Sequence, residues 1–239
     1  MKREKGVIIT RGSTLDNAEN LSKAAMEELL ARYENTRIGQ QELYAELLME
    51  SEKALWSREV LDATRMKEYE GDFKRIVVAV DPSVEEKKDS NEMGIIVAGL
   101  NEDNHGCILA DYSGHYTVGG VCKKLSRVYR DWMADLVVAE VNNGGAWIGH
   151  ALQKEDSRVA YKAVRASRGK YARAEPIAAF FEQGRAHMIG HFSEAEEELV
   201  TWEPDANKPS PNRLDAIVWA LTELMLGSQE IRQIDLVEG

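Results

Sequence analysis

Residues 73–81, FKRIVVAVD, carry an apolar run from Ile76 to Val80 that stops at a carboxylate, with Pro82 directly behind it. A strand with one wet face alternates apolar and polar side chains, so this unbroken run predicts a strand buried on both faces. Asp81 then admits two readings. Asp-Pro is an ordinary way to leave a strand, because proline lacks a backbone donor and aspartate starts turns. The other reading is that the carboxylate is placed for chemistry, and it gains weight only if further acids arrive at the same point.

Composition bounds the rest. The 239 residues suffice for one sizeable domain and an accessory piece, and 44% hydrophobic with 30% charged residues describes a globular, soluble chain. No apolar run is long enough to span a bilayer, and the opening MKREKGVIIT lacks the pattern of a signal peptide. Cys107 and Cys122 are the only cysteines and form no zinc-like cluster, so a reduced, cytoplasmic protein without disulfides is expected. The formal net charge of −11 excludes a protein that grips nucleic acid by overall charge, though not one with a local basic groove.

The pattern changes near residue 70. Before it, LDNAENLSKAAMEELLARY and GQQELYAELLMES carry helical periodicity, and a short helix is predicted at SREVLDATRM with Ser57 as its N-cap. After it, FKRIVVAVD, MGIIVAGL and CILADYS read as three strands of an antiparallel meander. A helix at VCKKLSRVYRDWM follows, then a buried strand, ADLVVAEV, that ends at Glu140, a further helix, and a fifth strand at RVAYKAV. Helices are predicted at EPIAAFFEQG, with Pro176 near its first turn and Gly184 as its stop, and at PNRLDAIVWALTELML. The expected class is α/β, a mixed sheet flanked by helices and preceded by a small helical segment, with domains at 1–70 and 71–239.

Three acids stand out in this frame. Asp81 and Glu140 each end a buried strand, and Asp215 lies near the start of the last helix, whose core stripe is Leu214, Ile217, Val218, Leu221 and Leu224 to Met225. If the two strands are neighbours, the helix can lower Asp215 onto the other two. Converging carboxylates repel one another, and burial disfavours their charged forms, unless a cation neutralises them. A hard divalent ion with oxygen ligands does so, and one or two ions of Mg²⁺ or Mn²⁺ can activate a water and stabilise the leaving oxygen of a phosphodiester.

The order VVAVDPS, VVAEVNNGG, RASRGKYARAEPIAAFFEQGR and SPNRLDAIVWALTEL resembles the nuclease domain of the large terminase subunit of tailed bacteriophages, which has the ribonuclease H-like fold. Upstream, TRGSTLDNAENLS and RYENTRIGQQELYAELL resemble the end of the terminase motor region and its linker. The resemblance implies that Asp81, Glu140 and Asp215 are catalytic metal ligands and that the substrate is double-stranded concatemeric DNA, cut during genome packaging in the host cytoplasm. It also implies a motor ATPase, a portal ring and a small terminase subunit as partners, with no membrane. Two departures stand against the pattern. Terminases of this type often carry Asp or His three residues before the last catalytic Asp; here Asn212, a weaker ligand for a hard cation, holds that place, which bears on the second ion. The nearest approach to a phosphate-cradling motor loop, VRASRGKY, has Val164 for its first glycine and Tyr171 after Lys170, so no ATPase activity is expected. The expectation is a piece of a longer polypeptide or one component of a split system.

VRASRGKYARAEP places Arg165, Arg168, Lys170 and Arg173 close together before a helix, as a phosphate-binding loop without base readout or as a solvated basic loop. Asn142 and Asn143, after Glu140, could orient water or DNA, or be ordinary turn residues; Asp111, at the end of the third strand, is a minor accessory candidate or a turn former. Trp147 is expected to pack in the core, and none of the five histidines is expected to bind metal. Two alternatives stay open: a junction resolvase or hybrid ribonuclease of the same fold, and a non-catalytic docking module for a packaging motor.

Overall fold

The computed structural model describes residues 53–82, 91–141, 146–166, 169–204 and 211–227. The helices expected within the first 52 residues lie outside the described residues. None of the described helices is long and apolar enough to cross a membrane.

The described residues build one seven-stranded mixed sheet. Its strands are β1 (Phe73–Pro82), β2 (Asn91–Asn101), β3 (Gly106–Asp111), β4 (Gly114–Tyr116), β5 (Leu136–Glu140), β6 (Tyr161–Val164) and β7 (Ala186–Met188). The order across the sheet is β6-β5-β1-β2-β3-β7, with β4 paired to β2 off that path. β1, β2 and β3 form the predicted antiparallel meander, while β5 runs parallel to β1, β6 parallel to β5, and β7 parallel to β3. The two three-residue strands, β4 and β7, are additions to the sequence expectation.

Helices cover both faces, as the unbroken run of β1 requires. Alternation along β1 sends Val77 and Ala79 to one face and Val78 and Val80 to the other. On the second face lie α2 (Val118–Asp131) and α3 (Ala146–Glu155), contributing Leu125, Val128, Ile148 and Leu152, with Trp147 partly buried among them as expected. On the first face lie α1 (Arg58–Ala63), α4 (Lys170–Glu182), α5 (Ser193–Thr201) and α6 (Asn212–Leu221), contributing Leu61, Phe181, Leu199 and Ile217. Ser57 caps α1 as predicted, its Oγ accepting from Val60 N at 3.2 Å.

Two helix ends depart from expectation. α4 begins at Lys170, so Pro176 sits inside the helix, well past its first turn. Proline there removes one backbone hydrogen bond, and the helix persists because Ala174, Ile177, Ala178 and Phe181 around it are buried. Its other end is as predicted: Gly184 takes φ +65°, and Gly184 N and Arg185 N donate back to the Phe181 and Phe180 carbonyls at 3.0 and 2.8 Å. The last helix is buried on every side from Arg213 to Leu221, beyond the single stripe expected, and runs on as a π-helical turn, Thr222–Leu226.

Candidate active site

β1 and β5 are adjacent and parallel, with Val80 opposite Ala139, so the next residues, Asp81 and Glu140, leave the sheet side by side. Alternation carries Asp81 to the face of Val77 and Ala79, and Glu140 to the face of Leu136, where α6 packs. α6 brings Asp215 in its first turn. Its approach depends on one residue without a side chain. Gly94 on β2 is the register partner of Asp81, and a Cβ there would stand 2.0 Å from the Asn212 carbonyl oxygen.

The three acids share an electrostatic environment. The Asp81 carboxyl is pushed up to about 8, first by burial and then by the charges of Asp215 and Glu140, against which Lys170 and Arg173 act. Those two cations come from the first turns of α4. Lys170 Nζ lies 3.3 Å from Asp215 Oδ2, while Arg173 bridges the other two elements, its Nη1 3.6 Å from Glu140 Oε2 and its Nη2 3.9 Å from Asp215 Oδ1. The guanidinium rests over Trp219, 4.7 Å from the ring centroid. Trp219 lies one turn beyond Asp215 on α6, and its Nε1 donates to Glu140 Oε2 at 2.6 Å. A single helix therefore supplies one acid and orients another.

Oxygen donors of this kind suit a hard divalent cation, and an acid raised to about 8 is a group whose charge such an ion would stabilise. As they stand, no three acid, histidine or cysteine side chains among the described residues converge tightly enough to hold an ion directly. Lys170 and Arg173 supply the positive charge in this arrangement.

The remaining predicted residues fall in several places. Of the four basic candidates, Lys170 and Arg173 sit on a helix among the acids, not on a loop, and Arg173 has a side chain only 10% exposed. Arg165 is exposed just beyond β6 and lines a cleft of about 200 Å³ with Lys162, Trp219 and Glu223. Asn212 Nδ2 donates to the Glu92 carbonyl at 3.4 Å. Asp111 accepts from Ser113 N at 2.8 Å, the turn role, and from Arg213 Nε at 3.1 Å. Asn142, Asn143 and Arg168 lie outside the described residues. Burial pushes the Cys107 thiol up to about 12, which removes it as a nucleophile near neutral pH.

No protein-family model matches the chain, and no curated protein sequence matches it. Solved structures do. The large terminase of a thermophilic bacteriophage superposes with a TM-score of 0.55 at 15% identity, over 89% of this chain and 54% of that one. The large terminase nuclease of the thermophilic phage G20c with bound cobalt gives 0.54 at 14% identity, over 72% of this chain and 98% of that one. A mutant nuclease domain of the large terminase subunit gp2 of bacterial virus Sf6, with manganese and β-thujaplicinol, gives 0.52 at 12% identity, over 70% and 98%. The fold is that of the terminase nuclease domains. The ribonuclease H-like α/β class expected from the sequence holds, and the chain spans about half the length of the first of these terminases.

Within this terminase nuclease fold, three features around the acids were not legible beforehand. Trp219 falls at i+4 from Asp215, a spacing that predicts a shared helix face but not the hydrogen bond to Glu140. Arg213, two residues before Asp215, gathers Glu92, Asp111, Glu194 and Glu198. Glu198 lies on α5, a helix that sequence reading did not assign; the only cue was Ser193 with Glu196 three residues on, a capping-box spacing.

Proposed function

We propose that the chain is a divalent-metal-dependent endonuclease that hydrolyses phosphodiester bonds of double-stranded DNA, with Asp81, Glu140 and Asp215 as ion ligands. One observation supports this reading: with two adjacent strand ends and the first turn of α6 as their carriers, Asp81 feels the charges of Asp215 and Glu140, and Arg173 pairs with both of the latter. The bound ion, or a pair of ions, would activate water and stabilise the leaving oxygen. The cobalt and manganese held by the two structural relatives support Mg²⁺ or Mn²⁺ as the resident ion. Asn212, three residues before Asp215 in the sequence, is a further and weaker ligand candidate through its amide oxygen.

The chain's own groups bind and orient. Trp219 fixes one oxygen of Glu140. Lys170 is 45% exposed at the edge of the cluster and, with exposed Arg165, can meet phosphates. Contacts of that kind carry no base information, so cutting has little sequence preference. On this reading residues 1–70 lead in from a motor ATPase, their last part packing on the nuclease sheet through α1, and the portal ring and small subunit present the concatemer. A second reading, a docking module whose acids are structural, draws on the Lys170 and Arg173 ion pairs, which neutralise Glu140 and Asp215 without an ion.

Incubating the purified chain with supercoiled plasmid separates the two. The nuclease reading expects nicked and linear products with Mg²⁺ or Mn²⁺, none with chelator, and none from the Asp215→Asn variant. Binding should also weaken steeply with salt, roughly 40-fold between about 50 and 200 mM if three phosphates are contacted. Cleavage that survives chelator and Asp215→Asn, or no cleavage under any ion, favours the docking module.

A further inference from the structure

We propose that Glu198 is a positioning residue for Asp215, acting by capping α6 from a different helix. The first turn of any helix leaves backbone N–H groups without intrahelical partners. Pro211, the N-cap of α6, offers them no side-chain acceptor. Glu198 on α5 does: its Oε2 accepts from Arg213 N at 2.9 Å and from Leu214 N at 3.1 Å. Its Oε1 accepts from Arg213 Nη1 at 3.0 Å, so the charge that caps the helix is neutralised by a side chain of the same turn.

The geometry ties the start of α6 down at several points. Two backbone bonds and one guanidinium bond to a single carboxylate fix both the position and the rotation of that turn. Arg213 extends the tie to the sheet, with Nε 3.1 Å from Asp111 Oδ2 on β3 and Nη1 3.1 Å from Glu92 Oε1 on β2, and it also pairs with Glu194. Arg213 is 8% exposed, and its contacts with Asp111 and Glu198 lie largely away from water, while Glu92 and Glu194 are at the surface. Asp215 is the residue immediately after Leu214, and a small rotation of the turn moves its carboxylate relative to Asp81 and Glu140. Glu198 thus sets where Asp215 stands without touching the acids itself. Removing a group that orients a metal ligand typically costs about 10–100-fold in ion affinity. The inference rests on Asp215 being an ion ligand.

Titration calorimetry of the full chain with Mn²⁺ tests it, in the absence of DNA and below the unfolding temperature of each variant. Glu198→Ala is expected to weaken Mn²⁺ binding by roughly tenfold or more. Glu198→Gln, which keeps one oxygen but can satisfy either the helix N–H groups or the guanidinium and not both, should fall between that variant and the wild type. In an Asp215→Asn background, Glu198→Ala should add no further loss. If Glu198→Ala does not fold, Glu198→Gln carries the test, and unchanged Mn²⁺ affinity in it overturns the proposal. The same holds if Glu198→Ala binds Mn²⁺ like the wild type, or weakens it as much in the Asp215→Asn background, since a merely structural residue would do either. If Asp215→Asn alone binds Mn²⁺ as tightly as the wild type, the reading of the site fails, and this inference with it.

Discussion

Replacing Asp81 with asparagine should abolish ion-dependent cleavage while making the protein more stable at pH 8. Both effects have one cause. The Asp81 carboxyl is pushed up to about 8 by burial and by Asp215 and Glu140, whereas an unfolded aspartate titrates near 4. Below about pH 4 both states are protonated, and the stabilising effect of the neutral acid is fully present. As pH rises toward 8 the unfolded state releases its proton and the folded state does not, so wild-type stability falls across that window. Asparagine does not titrate and escapes the loss. Each pKa unit corresponds to about 1.4 kcal/mol, and if only half of the shift is realised the gain at pH 8 is about 3 kcal/mol. For a chain of this size that is roughly 6–12 °C in Tm. At pH 4 the two proteins should melt together. Cleavage should fall by more than the 10–100-fold typical of losing an outer partner of a metal site, because a charged ligand is removed. Melting curves at pH 4, 6 and 8, without ion, read the first effect. A variant no more stable at pH 8 than at pH 4, relative to wild type, would mean that Asp81 carries no uncompensated charge.

Gly94→Ala should be severely damaging, although the methyl group is small and touches no acid. The added Cβ would stand 2.0 Å from the Asn212 carbonyl oxygen, 2.5 Å from its carbon and 3.0 Å from Arg213 N. All three are backbone atoms, so no rotamer change relieves the contact. Either β2 or the start of α6 must shift, and α6 packs against β1 and β2 along a length that is buried on all sides. Overpacking a core by a methylene costs about 1–3 kcal/mol when side chains can yield, and a backbone clash belongs at or above the top of that range. Because the displaced turn carries Asp215, cleavage should fall further than stability does. A thermal melt and a plasmid assay on the same preparation would show it. A variant with wild-type Tm and wild-type cleavage would mean that the helix does not approach the sheet this closely.

The parts of this fold that depend on local pattern were legible in the sequence. Apolar runs mark β1, β2, β3 and β5, and in β1 and β5 the parity of the run carries the terminal acid, Asp81 or Glu140, to a definite face. The strong final helix places Asp215. What escaped depends on partners distant in the chain. β4 and β7 are three residues each and exist through pairing with β2 and β3, not through patterning of their own. In α5, SEAEEELVT reads as a polar segment, because the arginines that receive its glutamates, Arg58, Arg65 and Arg213, come from elsewhere. The basic stretch around Lys170 was legible as charge. That two of its members turn inward onto the acids follows from α4 starting six residues before Pro176.

Asp81, Glu140 and Asp215 are proposed to share a divalent ion. A crystal of the chain soaked in Mn²⁺, with data recorded at a wavelength where manganese scatters anomalously, tests it most directly. An anomalous peak is expected within about 2.0–2.6 Å of oxygens from at least two of the three carboxylates, the range for hard-cation bonds. A well-occupied peak elsewhere, or none at saturating Mn²⁺ with Lys170 and Arg173 still paired to Glu140 and Asp215, would contradict it.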